Sequence, residues 1–361
     1  MDHTMKLSTL LLSSAALLVA GAAYAADLPA KKAAPAAAPT GCAAFGAGYI
    51  AIPGGDTCLK ISGYVESDNR YTSPVTRPAT APYTIGGAFG LGIDTASQSE
   101  MGAVKSQILL ETGSDFATLG TTFANVSVGG FTAGRADGLL DWGSGYNQTG
   151  FQANGKTTQL QYSASLGAGT TLSVAATAAQ STTGITGSTA AGASARPDLI
   201  AALNTKVGSM SFNVGAASHE ADGSTSGSVQ GYAIVGNASF DAGVAKFTAY
   251  AAYANAAAYY IGAGSHIDDV SSTGTNQSSG SNYEFQVDVP VGKNDSIGLT
   301  ADSINATAGA AKYVASDVGV SVKHTIAKGL WVRPELYSVT SDTGSGQTTS
   351  QGLYVRIERD F

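Results

Sequence analysis

Four histidines, two cysteines and an adjacent pair of aspartates are the side chains here best suited to catalysis or metal binding, and their spacing supports neither. His3, His219, His266 and His324 are scattered, with no metal-ligand interval among them. No G-x-S-x-G elbow, phosphate-binding glycine loop or C-x-x-C pair occurs. Asp268 and Asp269 lack the glycine turn and later Glu of a calcium loop, so they read as solvating groups of an outer loop. Cys42 and Cys58 form an even count in a chain that reads as exported. With no third thiol and no His neighbour, a structural disulfide is expected rather than a metal site. No catalytic residue, metal or cofactor is expected. A serine and a histidine brought together only in space are invisible at this level, which leaves an outer-membrane barrel lipase open as an alternative.

The remaining charges sit on elements with a recognisable pattern. Charged residues are only 12% and aromatics 8%, while glycine alone numbers 46. That mixture lacks the Leu, Glu and Lys that long amphipathic helices use. Short alternating runs recur instead. Leu59, Ile61 and Val65 oppose Lys60, Ser62, Tyr64 and Glu66; Met210, Phe212 and Val214 oppose Ser211 and Asn213; Tyr283, Phe285 and Val287 oppose Glu284, Gln286 and Asp288. Val318, Val320 and Val322 oppose Asp317, Ser321 and Lys323, and the last run sets Leu353, Val355 and Ile357 against Tyr354, Arg356 and Glu358. Strands of about ten residues with one apolar face are the signature of a transmembrane antiparallel β-barrel. Short connections (Gly167 to Thr170, Pro290 to Asp295, Ala327 to Gly329) alternate with long ones (Gln180 to Pro197, His219 to Ser228, Ser265 to Ser281, Ser341 to Ser350). At roughly twenty residues per strand and connection, about sixteen strands are expected. Boundaries stay open between 70 and 102, where Pro74, Pro78 and Pro82 interrupt, and between 180 and 280.

Residues 1–25 read as a secretion signal: Lys6, an apolar Leu10–Ala20 stretch too short to span a bilayer, and a small-x-small site at Ala23-Tyr24-Ala25. Translation starts at Met1 or Met5. Residues 26–40 are an Ala/Pro-rich periplasmic linker, which leaves 41–361 for the barrel. Losing residues 1–25 leaves the net charge at −7, which argues against a nucleic-acid partner.

Residues 41–65, GCAAFGAGYIAIPGGDTCLKISGYV, resemble the N-terminal signature of alphaproteobacterial general-diffusion porins. Gly130-Phe131-Thr132-Ala133-Gly134-Arg135 resembles the segment that ends a wall strand before the third loop of that family. Pro334-Glu335-Leu336-Tyr337 and the terminal Phe361, which closes the barrel on an aromatic residue, resemble its last strands. The family's frequent basic residue after Gly-Tyr-Val is replaced by Glu66. The resemblance implies an all-β, transmembrane antiparallel barrel of about 16 strands, usually a homotrimer, with an inward-folded third loop. On this sequence that loop spans about Ala136 to Lys156. Arg135, Asp137 and Asp141 would stand at the constriction, with Trp142, Tyr146 and Phe151 in the loop. Lys60, Lys105, Lys246, Lys323, Arg333 and Arg356 would supply basic wall charge. The implied function is passive diffusion of small hydrophilic solutes and ions across a Gram-negative outer membrane, with lipid around a multi-pass barrel. The competing readings are the barrel lipase and a secreted, soluble β-sandwich adhesin or lectin.

Overall fold

The computed structural model describes residues 41–73, 82–142, 155–179, 196–223, 227–264, 266–270 and 276–361. The chain separates into two compact units, Met1–Ala44 and Phe45–Phe361. The expected signal (1–25) and linker (26–40) lie outside the described residues, as do Tyr146 and Phe151. Cys42 and Cys58 are both disulfide-bonded.

After the two-residue strand β1 (Ile50–Ala51), sixteen antiparallel strands form the second unit. They are β2 (Cys58–Ser73), β3 (Tyr83–Ser99), β4 (Gly102–Thr112), β5 (Leu119–Val128), β6 (Phe131–Asp137), β7 (Lys156–Gly167), β8 (Thr170–Thr177) and β9 (Asp198–Val207). There follow β10 (Met210–Gly223), β11 (Gly227–Asp241), β12 (Lys246–Asn255), β13 (Ser278–Val291), β14 (Asp295–Ala308), β15 (Ala311–Ala327), β16 (Leu330–Asp342) and β17 (Gln347–Asp360). Each strand pairs with its sequence neighbours, and β17 pairs with β2, so the barrel closes and leaves no open edge. At the seam Phe361 N–H donates to the Gly63 carbonyl (2.9 Å) and Gly63 N–H to that of Phe361 (3.0 Å). Arg356 locks the seam with a two-pronged contact to Asp68 (both 2.8 Å) and a 2.8 Å ion pair to Glu66.

Alternation decides which way each strand faces. Ile61 (58% exposed), Leu160 (60%), Phe285 (50%) and Leu336 (59%) point outward, while Glu66, Gln159, Gln286 and Glu335 point inward and are buried. The outward face carries an aromatic belt at each end. Phe131, Tyr162, Phe212, Phe240 and Phe247 lie toward the short turns; Tyr71, Tyr83, Tyr232 and Tyr253 lie toward the other end. An apolar band between aromatic girdles suits lipid. Several short turns are two residues long. Ala168 and Gly169 both have positive φ (48° and 76°), the geometry whose twist matches that of the flanking strands.

The long-loop end differs from the sequence expectation. His219–Ser228 and Ser341–Ser350 were expected as long loops. Instead β10 and β11 continue in register to Gly223↔Gly227, and β16 and β17 to Asp342↔Gln347. Their polar composition reflects strands whose rims face water, since ladder hydrogen bonds form regardless of side-chain polarity. In the ambiguous segment after Arg70, β2 runs to Ser73 and β3 starts at Tyr83, with Pro82 just before it and Pro74 and Pro78 outside the described residues.

Candidate functional site

Among the described residues, parts of two loops turn into the barrel. Loop 3 (138–155) joins β6 to β7, and its neck is closed by Gly138 N–H on the Gly155 carbonyl (3.3 Å). Asp141 N–H turns back to Gly138 O (3.0 Å), which drives Leu140 into a fully buried position among Ile200, Val235 and Tyr250 of the inner wall. Asn237 of β11 donates to the Trp142 carbonyl (3.1 Å). Gly215 of β10 makes room for the loop. A Cβ there would run into Leu140 Cδ2 and lie 2.8 Å from the Ala201 carbonyl. Asp141 is half-buried. Burial pushes its carboxyl up to about 6; Lys156 opposes that shift and Asp137 adds to it.

Loop 6 (256–277), which joins β12 to β13, was expected as an outer loop that merely solvates Asp268 and Asp269. Its described residues instead fold inward. A single 3-10 turn, Ala258–Ile261, buries Tyr260 and Ile261, and Ile267 follows them into the cluster. The inner faces beneath are apolar: Ala217, Ala233, Ala252, Ala254, Ile304, Ala306 and Tyr313. Polar groups tie this packing down. His219 Nδ1 lies 2.8 Å from Asp198 Oδ1 and its Nε2 3.3 Å from Asp269 Oδ2. Tyr260 donates to Asp198 Oδ2 (2.6 Å), Ala258 N–H to Asp269 Oδ1 (2.5 Å), and Asn282 to the Ile261 carbonyl (3.1 Å). Burial, with Asp198 alongside, raises the Tyr260 phenol far above its ordinary value, so it is a donor. Tyr259 is only half-buried, and its hydroxyl accepts from the backbone of Gly155 in loop 3.

The charges named from sequence are spread over the wall. Asp137 ends β6 and pairs with Lys156 (3.6 Å). Arg135 is exposed and stands opposite Ala124 and Thr158, just after Gly134, whose positive φ (117°) interrupts the strand's alternation; its charge is felt at the Tyr259 phenol. Lys60, Lys105, Lys246, Lys323, Arg333 and Arg356 all lie in the half of the barrel nearer the short turns, below loop 3. Lys60 is opposite Asp94, Lys105 opposite Ala96, and Lys246 opposite Asp241 and Asp288. Lys323 sits 4.2 Å over the Trp331 ring with Arg333 beside it, and Arg356 is matched by Glu66 and Asp68. At mid-height, Glu284, Asp302 and Asp317 are direct neighbours across β13, β14 and β15, all buried. Both Asp302 oxygens lack a hydrogen-bond partner.

His324 pairs with Asp295 (2.7 Å) and His266 stacks on Tyr313 (3.8 Å). None of these histidine contacts involves a serine. Among the described residues no group of His, Cys, Asp or Glu is placed to hold a metal ion. Sequence reasoning missed Leu140, Gly215, Tyr259, Tyr260 and the Asp198–His219–Asp269 clamp. One signal pointed to them. Residues 249–254, AYAAYA, and 304–308, INATA, carry apolar side chains on the face that should be polar, and an inward face of that kind needs a cover.

Comparison with known proteins agrees with this geometry. A family model described as "Porin subfamily" matches residues 30–356. Porin Omp2a of Brucella ovis is 41% identical over 103 residues, 28% of this chain and 30% of that protein, so this alignment spans under a third of the relative's length. The outer membrane channel DcaP of Acinetobacter baumannii superposes with a TM-score of 0.74 at 15% identity, covering 84% of this chain and 97% of that one. The trimer form of OmpT from Vibrio cholerae gives 0.61 at 11% identity, covering 85% and 100%. Both structures share the fold of a closed barrel of the outer membrane, which is where this protein resides. With most of its length matched, the chain belongs to the porin subfamily, a family of channels rather than enzymes.

Proposed function

We propose that this protein is a passive, water-filled diffusion channel for small hydrophilic solutes and ions, narrowed at mid-barrel by loop 3. It works without turnover, catalysis or cofactor, in a lipid bilayer and as a homotrimer. One observation carries the reading: a closed sixteen-stranded barrel whose outward face is apolar and whose loop 3 is anchored inside by Leu140 on Gly215. A soluble sandwich would bury its apolar strand faces between two sheets, whereas here they remain exposed around the whole circumference. Asp141 is the acidic group best placed to act on passing ions. Asp137 is paired with Lys156, and the basic residues form a band nearer the short turns rather than a wall facing the loop. The channel is therefore expected to favour cations at neutral pH. The test is swelling of liposomes carrying the refolded full chain in iso-osmotic solutions of neutral sugars of increasing size. Swelling that slows with solute size and then stops fits a sieve. Equal impermeability to every sugar, with the barrel folded, would remove the proposal.

A further inference from the structure

We infer that the constriction is built by two loops, with loop 6 a permanent second wall and Tyr259 its pore-lining residue, held in place by Asp198, His219 and Asp269. The inference rests on the diffusion-channel reading. It starts from the apolar inner positions of β10, β11, β12, β14 and β15 toward the long-loop end, which a water-filled lumen cannot leave bare. Loop 3 covers part of it with Leu140. Loop 6 covers the rest with Tyr260, Ile261 and Ile267, each at most 2% exposed. Three aromatic or aliphatic side chains pack on this cluster yet stay partly open: Leu139 and Trp142 from loop 3 and Tyr259 from loop 6. They form its lumen-side surface, so the passage runs past them. The two loops also touch, because the Tyr259 hydroxyl accepts from Gly155 at the neck of loop 3.

The clamp explains why loop 6 stays in. Both nitrogens of the buried His219 ring face carboxylate oxygens, one on β9 and one on loop 6, an arrangement in which both must donate. Asp269 also receives the Ala258 N–H that starts the 3-10 turn, and its own carbonyl receives Ser278 N–H (2.8 Å). Asp198 receives Tyr260 from the same turn. Charge-assisted bonds in a water-poor site hold a loop in one geometry. This role departs from a loop that shields the outer mouth: loop 6 sets the cross-section, and its aromatic surface restricts bulky solutes.

The test uses the full chain with Tyr259→Cys, recorded as single channels in a planar bilayer before and after a water-soluble cationic methanethiosulfonate. Tyr283→Cys, on the outward face, is the control. The expected result is stepwise loss of current for Tyr259→Cys and none for the control. Full labelling by mass with unchanged current, or no labelling from water in conducting channels, overturns the inference while the channel reading stands. Absence of conductance in the unsubstituted protein sinks that reading first. Asp269→Asn, checked for folding by heat-dependent gel mobility, should raise conductance and open-channel noise. Unchanged traces would remove the clamp.

Discussion

Acidifying the bath from pH 7 to pH 5 should reduce the channel's cation preference, and Asp141→Asn should abolish that pH response. Burial and the nearby Asp137 place the Asp141 carboxyl at about 6, above the ordinary carboxylate value, with Lys156 pulling the other way. Its charge is thus present above about pH 6 and lost below. One pH unit changes the ratio of the two forms tenfold, so the group is about nine-tenths ionised at pH 7 and about one-tenth at pH 5. A unit charge acting on an ion roughly 4 Å away through water is worth about 1 kcal/mol, or about a fivefold change in local cation concentration. Salt attenuates this, with a Debye length of about 10 Å at 0.1 M, so the cation-to-anion permeability ratio should fall roughly two- to fivefold. Tyr250 and Tyr259 face the same carboxylate, and Glu284 lies beyond Tyr250. The Tyr259 phenol, raised by burial, stays neutral throughout this range. The assay is the reversal potential across a salt gradient at each pH. If Asp141→Asn keeps the full pH swing, another group sets selectivity and the placement of Asp141 at the narrowest point is wrong.

Leu140→Ala empties a fully buried site, which costs about 2–5 kcal/mol, so loop 3 should loosen and open-channel noise should rise; quiet traces would contradict the anchoring. Arg356→Met removes the two-pronged partner of Asp68 and the ion pair to Glu66 at the seam, leaving Asp68 with Tyr354, and should lower the temperature at which the folded band disappears on gels; an unchanged temperature would contradict the seam lock. Asp302→Asn should be neutral or stabilising in the same gel assay, because neither oxygen has a donor to lose and both ladder neighbours are acidic. A clear destabilisation would mean that Asp302 has a partner.

The outward half of this molecule was legible because period-2 alternation is a local property. Ile61, Val65, Phe212, Tyr283 and Val318 all point out as the sequence pattern requires. Strand number followed from spacing. The inward half was legible only where nothing covers it. Lys323 and Arg333 meet over the Trp331 ring, and that meeting depends on barrel height, which the run of residues in one strand does not encode. The surroundings of Arg135 depend on its pairing with Ala124 and Thr158, partners set by register rather than by its own neighbours in sequence. Loop 6 was misread since Tyr-Tyr-Ile and Ile267 look like ordinary loop content until the apolar inner faces of β12 and β14 are seen to need them. The clamp joins residues 198, 219 and 269, and a contact at such separation is a product of the closed topology.

Single-channel recording of the refolded full chain in a planar bilayer tests the central claim most directly. An open, water-filled passage narrowed by fixed loops predicts discrete current steps, a linear current–voltage relation at low voltage, and conductance that rises in proportion to bulk salt without saturating. A folded barrel that inserts yet passes no current, or one whose current saturates at low solute concentration as a binding site would, contradicts it.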